Sequence, residues 1–92
     1  MNCKHLTITI YGDVQGVNFR ASALNKAYQL DINGYARNKQ DGAVHIEAEG
    51  DSKNLEEFVR WCRTGPAFAQ VKKIVVVEGS LNGFRTFSIR RL

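Results

Sequence analysis

At 92 residues the chain has room for one compact hydrophobic core and not for two, so residues 1–92 read as a single domain with its functional site on the surface. Hydrophobic residues at 43% and charged residues at 24% exclude the disordered class, and no apolar run approaches the ~20 residues of a membrane-spanning helix. The net charge of +4 suits an anionic partner without separating a small phosphate ester from nucleic acid.

Residues Leu6 to Tyr11 alternate Leu, Thr, Ile, Thr, Ile, Tyr, the period of a strand with one buried face, and this puts Leu6, Ile8 and Ile10 inward. After a glycine-bearing loop, Ala21, Leu24, Ala27 and Tyr28 recur at helical spacing and predict a helix from Phe19 to Leu30, ended before Asn33-Gly34. A second strand over Gly34 to Asn38, a turn at Gln40-Asp41-Gly42 and a third strand over Ala43 to Ala48 form a β-hairpin. Asp51 or Ser52 caps the next helix, whose Leu55, Phe58, Val59 and Cys62 make one stripe before Gly65-Pro66 stops it. Val71 to Glu78 predicts a fourth strand with Ile74 and Val76 inward, and Phe84 to Arg90 a last one.

This order indicates two interleaved right-handed crossovers: an α+β, ferredoxin-like (split βαβ) two-layer sandwich, an antiparallel sheet with two helices on one face. In that topology the loop after the first strand and the end of the second share an edge, which brings Arg20 and Asn38 to one place. Cys3 and Cys62 fall at opposite ends and read as packing thiols rather than a disulfide or a metal site. His5 and His45 read as strand residues on the solvent face, with no second ligand at metal spacing.

The stretch that carries chemistry is Gly12 to Arg20, where a strand stops at a glycine, turns, and delivers an arginine to a helix start. Backbone N–H groups there have no intrahelical partners and lie at the positive end of the helix dipole, so they favour phosphate, sulfate or carboxylate. The Arg20 fork can hold two oxygens of one tetrahedral anion. An arginine at a helix start opposes the dipole, so it either has a local acidic partner, for which Asp13 is a candidate, or awaits an anion. No Gly-Lys-Ser/Thr follows, and three glycines at dinucleotide spacing are missing, so neither nucleotide-binding loop is present.

The same residues resemble the acylphosphatase family. Its first motif, G-x-V-Q-G-V-x-F-R, is reproduced at every specified position by Gly12 through Arg20. Its second, approximately G-[aromatic]-[small]-x-N-x-x-x-G-x-V with a later glycine, is matched by Gly34-Tyr35-Ala36-Arg37-Asn38-Lys39-Gln40-Asp41-Gly42-Ala43-Val44 and Gly50, and the closing F-x-I-R by Phe87-Ser88-Ile89-Arg90. The resemblance covers essentially the whole chain. It implies a hydrolase that cleaves the carboxyl–phosphate bond of acyl phosphates to a carboxylate and inorganic phosphate. Loop residues Gln15, Gly16, Val17, Asn18 and Phe19 together with Arg20 would hold the phosphoryl group, and Asn38 would orient the attacking water. No metal or other cofactor is implied, and the substrate's own phosphate would help to take the water proton. A monomer is implied, with a small-molecule acyl phosphate as partner and inorganic phosphate or sulfate as competing anions.

The chemistry suits such a site, because the leaving group is a carboxylate of pKa near ~4 and needs no proton. What remains is to neutralise the phosphoryl oxygens, hold them in line and place a water. Two positions depart from the usual pattern: Asp13 stands where a basic or neutral residue is common, and Asn18 where a glycine or bulky residue is common. With no signal-like segment, a cytoplasmic location and no membrane partner are expected. The competing readings are a module that binds acyl phosphates without turnover and an RNA-binding ferredoxin-like module. Against the latter, the outward positions of the third strand are His45, Glu47 and Glu49 rather than stacking aromatics, so no nucleic-acid partner is expected.

Overall fold

The computed structural model describes residues 2–91. Strand β1 covers Cys3–Asp13, helix α1 Phe19–Gln29, β2 Asn33–Asn38, β3 Val44–Asp51, α2 Ser52–Cys62, β4 Gln70–Gly79 and β5 Phe87–Arg90. The sheet order is β4-β1-β3-β2-β5. β3 pairs antiparallel with both β1 and β2, β4 pairs antiparallel with β1, and β5 runs parallel to β2. The ferredoxin-like sandwich is therefore as expected, but its sheet is mixed at one edge rather than wholly antiparallel. After β4 the chain reverses and crosses to the far side of the sheet, so β5 arrives in the direction of β2.

α2 lies over β1 and β3, and α1 over β2 and β5, which leaves β4 largely uncovered. Ile8 and Ile10 of β1, with Ile46 and Ala48 of β3, are buried under Leu55, Phe58 and Cys62 of α2, whereas Leu6 is half-buried. Val76 of β4, expected inward, is 37% exposed, because that edge projects beyond the helices; Val71 and Ile74 are half-buried. The face of α1 is also rotated from expectation. Phe19, Ala23 and Ala27 are its buried residues, at i, i+4 and i+8, while Tyr28 is 60% exposed. Asp51 is the N-cap of α2, its Oδ2 accepting the Lys53 N–H at 3.1 Å. Cys3 is exposed and so is not a packing thiol; Cys62 is buried, which pushes its thiol pKa up and keeps it inert. Among the described residues no helix is long and apolar enough to cross a membrane.

The sheet face away from the helices carries a polar cluster in place of solvated side chains. His5, expected to face solvent, is only 4% exposed. Its Nδ1 lies 2.6 Å from Glu49 Oε2 and its Nε2 2.5 Å from Glu47 Oε1, so an imidazolium donates to both carboxylates. Glu47 also accepts from the Thr7 hydroxyl at 2.7 Å and faces His45 Nε2 at 2.5 Å. Glu49 accepts the backbone N–H groups of Asn82, of Gly83 at 2.9 Å and of Phe84 at 3.1 Å, and the Phe84 ring stacks on His5. With its amide taken by Glu49, Phe84 cannot open the last strand, which the sequence places at Phe84 and the structure at Phe87.

Candidate active site

Two residues before the end of β1 its pairing with β4 slips, between Tyr11 and Gly12. Gly12 has φ 134°, and a Cβ there would lie 2.1 Å from the Gln70 carbonyl oxygen, so only glycine lets β4 follow β1 to its end. The chain then crosses the end of the sheet, with Val14 buried beneath it. Gly16 (φ 75°) and Asn18 (φ 66°) both adopt the left-handed conformation on either side of Val17, and such alternation is the backbone pattern of anion-binding nests. At Asn18 the side chain suits the backbone, since asparagine is among those that best tolerate the left-handed conformation.

Asn18 is the N-cap of α1 but its side chain caps nothing, and no acidic residue stands in the first turn. The positive end of the helix is left unneutralised, with Arg20 in its first turn. Phe19 fixes this junction. It is 2% exposed, packs 5.4 Å from Trp61 and abuts Gly65, where a Cβ would lie 2.5 Å from its ring.

Asn38 arrives from the last position of β2, opposite Val44. The hairpin beyond it closes through Lys39 N–H to the Ala43 carbonyl at 2.8 Å and an Asp41 side chain accepting from Ala43 N–H at 3.0 Å. Gln15 ties the two halves together: its Nε2 donates to the Lys39 carbonyl at 2.8 Å and to the Ala43 carbonyl at 2.9 Å.

Between loop and hairpin lies a cleft of about 290 Å³ lined by Gly16, Asn18, Phe19, Arg20 and Asn38 among others. Of the seven site residues expected from sequence, these five are brought together. Gln15 and Val17 are not in the lining: the amide of Gln15 is spent on the brace, and Val17 packs on the core. Asp13 lies outside the lining too and makes no ion pair with Arg20 among the described residues. Sequence reasoning missed Arg91, which also lines the cleft. Among the described residues the cleft has no acidic side chain. Two other clefts, of about 340 and 350 Å³, hold acidic side chains: Glu56 and Glu78 stand among Lys4, Arg60 and Arg63 in one, and Asp31, Glu49 and Asp51 line the other with no cation among the described residues.

A ferredoxin-like sandwich with an arginine-lined cleft at the junction of β1 and α1 defines the class, a small α+β protein. The acylphosphatase family profile matches residues 6–89, and the chain belongs to that family. It is 44% identical over 84 residues to an acylphosphatase of an Anaeromyxobacter species, covering 90% of each chain. Its fold is similar to the crystal structure of acylphosphatase from Bacillus subtilis, with TM-score 0.92 and 38% identity over 95% of this chain and 98% of that one. A structure of an acylphosphatase from Coxiella burnetii is similar at TM-score 0.94 and 30% identity, covering 97% of this chain and 94% of that one. By family the protein is an enzyme, an acylphosphatase of the hydrolase class.

Proposed function

We propose that the protein hydrolyses acyl phosphates, with Arg20 and the loop N–H groups holding the phosphoryl group and Asn38 orienting the water. The observation that carries this reading is the meeting of Arg20 and Asn38, from different elements, at an uncapped helix start in a cleft with no acidic side chain among the described residues. The water oxygen attacks phosphorus while the bond from phosphorus to the acyl oxygen breaks, and that electron pair leaves on the carboxylate. The water proton passes to a phosphoryl oxygen, so a dianionic acyl phosphate and water give one carboxylate and one dihydrogen phosphate. Charge on the phosphoryl oxygens is met by guanidinium and amide donors fixed in place before the reaction.

A carboxylate departs unprotonated, whereas an alkoxide needs an acid that this cleft does not offer. The open face of the sheet gives the RNA-binding alternative no support, since Glu47 and Glu49 are engaged there with His5. The test is phosphate release from a panel of acyl phosphates and alkyl phosphate monoesters, with and without EDTA. Turnover of the acyl phosphates alone, unchanged by chelation and inhibited competitively by phosphate or sulfate, is expected. Rapid hydrolysis of an alkyl phosphate, or activity that vanishes in EDTA and returns with a divalent cation, would count against it.

A further inference from the structure

Arg91 comes into the cleft by strand register. β2 and β5 pair in parallel, Ala36 with Ile89 and Arg37 with Arg90, and one step further along the ladder stand Asn38 and Arg91. Side chains alternate along a strand, so Phe87, Ile89 and Arg91 share one face and Ser88 and Arg90 the other. The environments agree. Phe87 is buried in the core beneath the helices, and Ile89 and Arg91 both line the cleft. Arg90 instead lies across the Tyr35 ring on the open face, 3.8 Å from its centroid.

The cleft is therefore lined by two arginines, Arg20 from the helix side and Arg91 from the sheet side, with no acidic side chain among the described lining residues. Neither makes an ion pair among the described residues. Two like charges facing one concavity repel each other, and the arrangement is relieved when an anion sits between them.

We propose that Arg91 is a second phosphoryl-binding cation, taking the non-bridging oxygens on the Asn38 side of the group that Arg20 holds from the helix side. This rests on the reading of the cleft as an acyl-phosphate site with Asn38 at the water. In an in-line displacement the attacking water and the leaving oxygen lie on opposite sides of phosphorus. Arg91 shares the side of Asn38, so the departing acyl group points away from it and only the phosphoryl oxygens come within reach. Its contribution is accordingly the same whatever acyl group the substrate carries. Arg91 is exposed, so its effect falls on binding more than on the chemical step.

The experiment compares wild-type protein with Arg91→Gln and with Arg90→Gln, which removes the same charge from the neighbouring position on the opposite face. Arg91→Gln should raise the inhibition constant of inorganic phosphate about three- to tenfold. It should raise KM by the same factor for acetyl phosphate and for an acyl phosphate bearing a second carboxylate, with kcat changing less and the melting temperature unmoved. Arg90→Gln should leave the phosphate inhibition constant unchanged. An unchanged inhibition constant in Arg91→Gln, an equal effect from Arg90→Gln, or a loss confined to the substrate with the extra carboxylate would each overturn the assignment. If the wild-type protein neither turns over acyl phosphates nor binds phosphate, the underlying reading of the cleft falls instead, and the two failures are told apart by that control.

Discussion

Arg20 and Asn38 reach the cleft from different elements, and the parts proposed for them separate in kinetics. In its proposed part Arg20 meets oxygens present before and during reaction, so Arg20→Lys should weaken phosphate inhibition and lower turnover together as the planar fork is lost. Asn38→Ala should leave the phosphate inhibition constant nearly intact while turnover falls ~10²–10³-fold, the effect of losing one preorganised polar group. Full turnover in Asn38→Ala would return that residue to a turn role. Away from the cleft, His5 makes a separate contribution to stability. Burial disfavours its charged form, but the hydrogen bonds and charges of Glu49 and Glu47 outweigh that and hold its pKa above 6.5. Burial also works against the two carboxylates, and is outweighed for Glu47 by hydrogen bonds from Thr7, His5 and His45 and for Glu49 by the Asn82 amide, His5 and the Phe84 and Gly83 amides; both pKa values fall below 4.5. A raised histidine stabilises fully below 6.5 and loses its effect as pH climbs through the folded value; lowered carboxylates stabilise above 4.5 and lose it as pH drops through theirs. The melting-temperature gap between wild type and His5→Gln should thus be widest from pH 4.5 to 6.5 and narrow above that window. A gap that stays flat up to pH 9 would refute the imidazolium.

Helix α2 reaches the site through the Phe19 ring, which packs against Trp61 and abuts Gly65. Phe19 opens α1 and precedes Arg20, so the C-terminal end of α2 sets where the cradle stands. Gly65 has φ 68°, and a methyl group there would press on that ring at 2.5 Å. Left-handed strain and overpacking together make Gly65→Ala cost about 2–4 kcal/mol. The displaced Phe19 should also weaken phosphate inhibition, although Gly65 is no part of the cleft lining. A melt lowered with the inhibition constant unchanged would uncouple the helix packing from the cradle. Gln15 has the corresponding position between loop and hairpin, holding two carbonyls of the turn that follows Asn38.

For the molecule as a whole, an anion that binds only the folded cleft must stabilise the fold. The cradle is assembled from the loop after β1, from α1, from β2 and from β5 with the residue that follows it, segments distant in sequence that come together only in the native state. Inorganic phosphate at a hundred times its Kd should add about 2.7 kcal/mol. In a chain of this length that corresponds to a rise in Tm of about 10–20 °C. Thermal melts across a phosphate titration measure it. Arg20→Ala should abolish the rise, and a rise that survives that change would mean that phosphate binds elsewhere.

Local signals settled much of this protein. Alternation from Leu6 to Ile10, the Asp41-Gly42 turn, a cap at Asp51 or Ser52 and the stripe of α2 depend on neighbouring residues, and each was legible without a partner strand or helix; the structure chose Asp51 for the cap. The residues from Gly12 to Arg20 were legible for the same reason, since a glycine loop running into a helix start exposes amides whatever lies around it. The ferredoxin-like order brought Arg20 and Asn38 to one edge by topology alone. Tertiary structure decided what depends on position in the sheet. β4 carries four consecutive apolar residues from Ile74 to Val77 yet lies beyond the helices at an edge, so Val76 is not core. His5 follows the alternation of a solvent-facing residue, but the loop at Asn82 to Phe84 folds over it and exchanges water for two carboxylates. Arg91 has no local pattern to mark it, and enters the cleft only because β5 docks in parallel beside β2 and its register carries the chain on to Asn38. Periodicity reports which side of a strand a residue occupies; what covers that side is set by contacts between segments far apart in the chain.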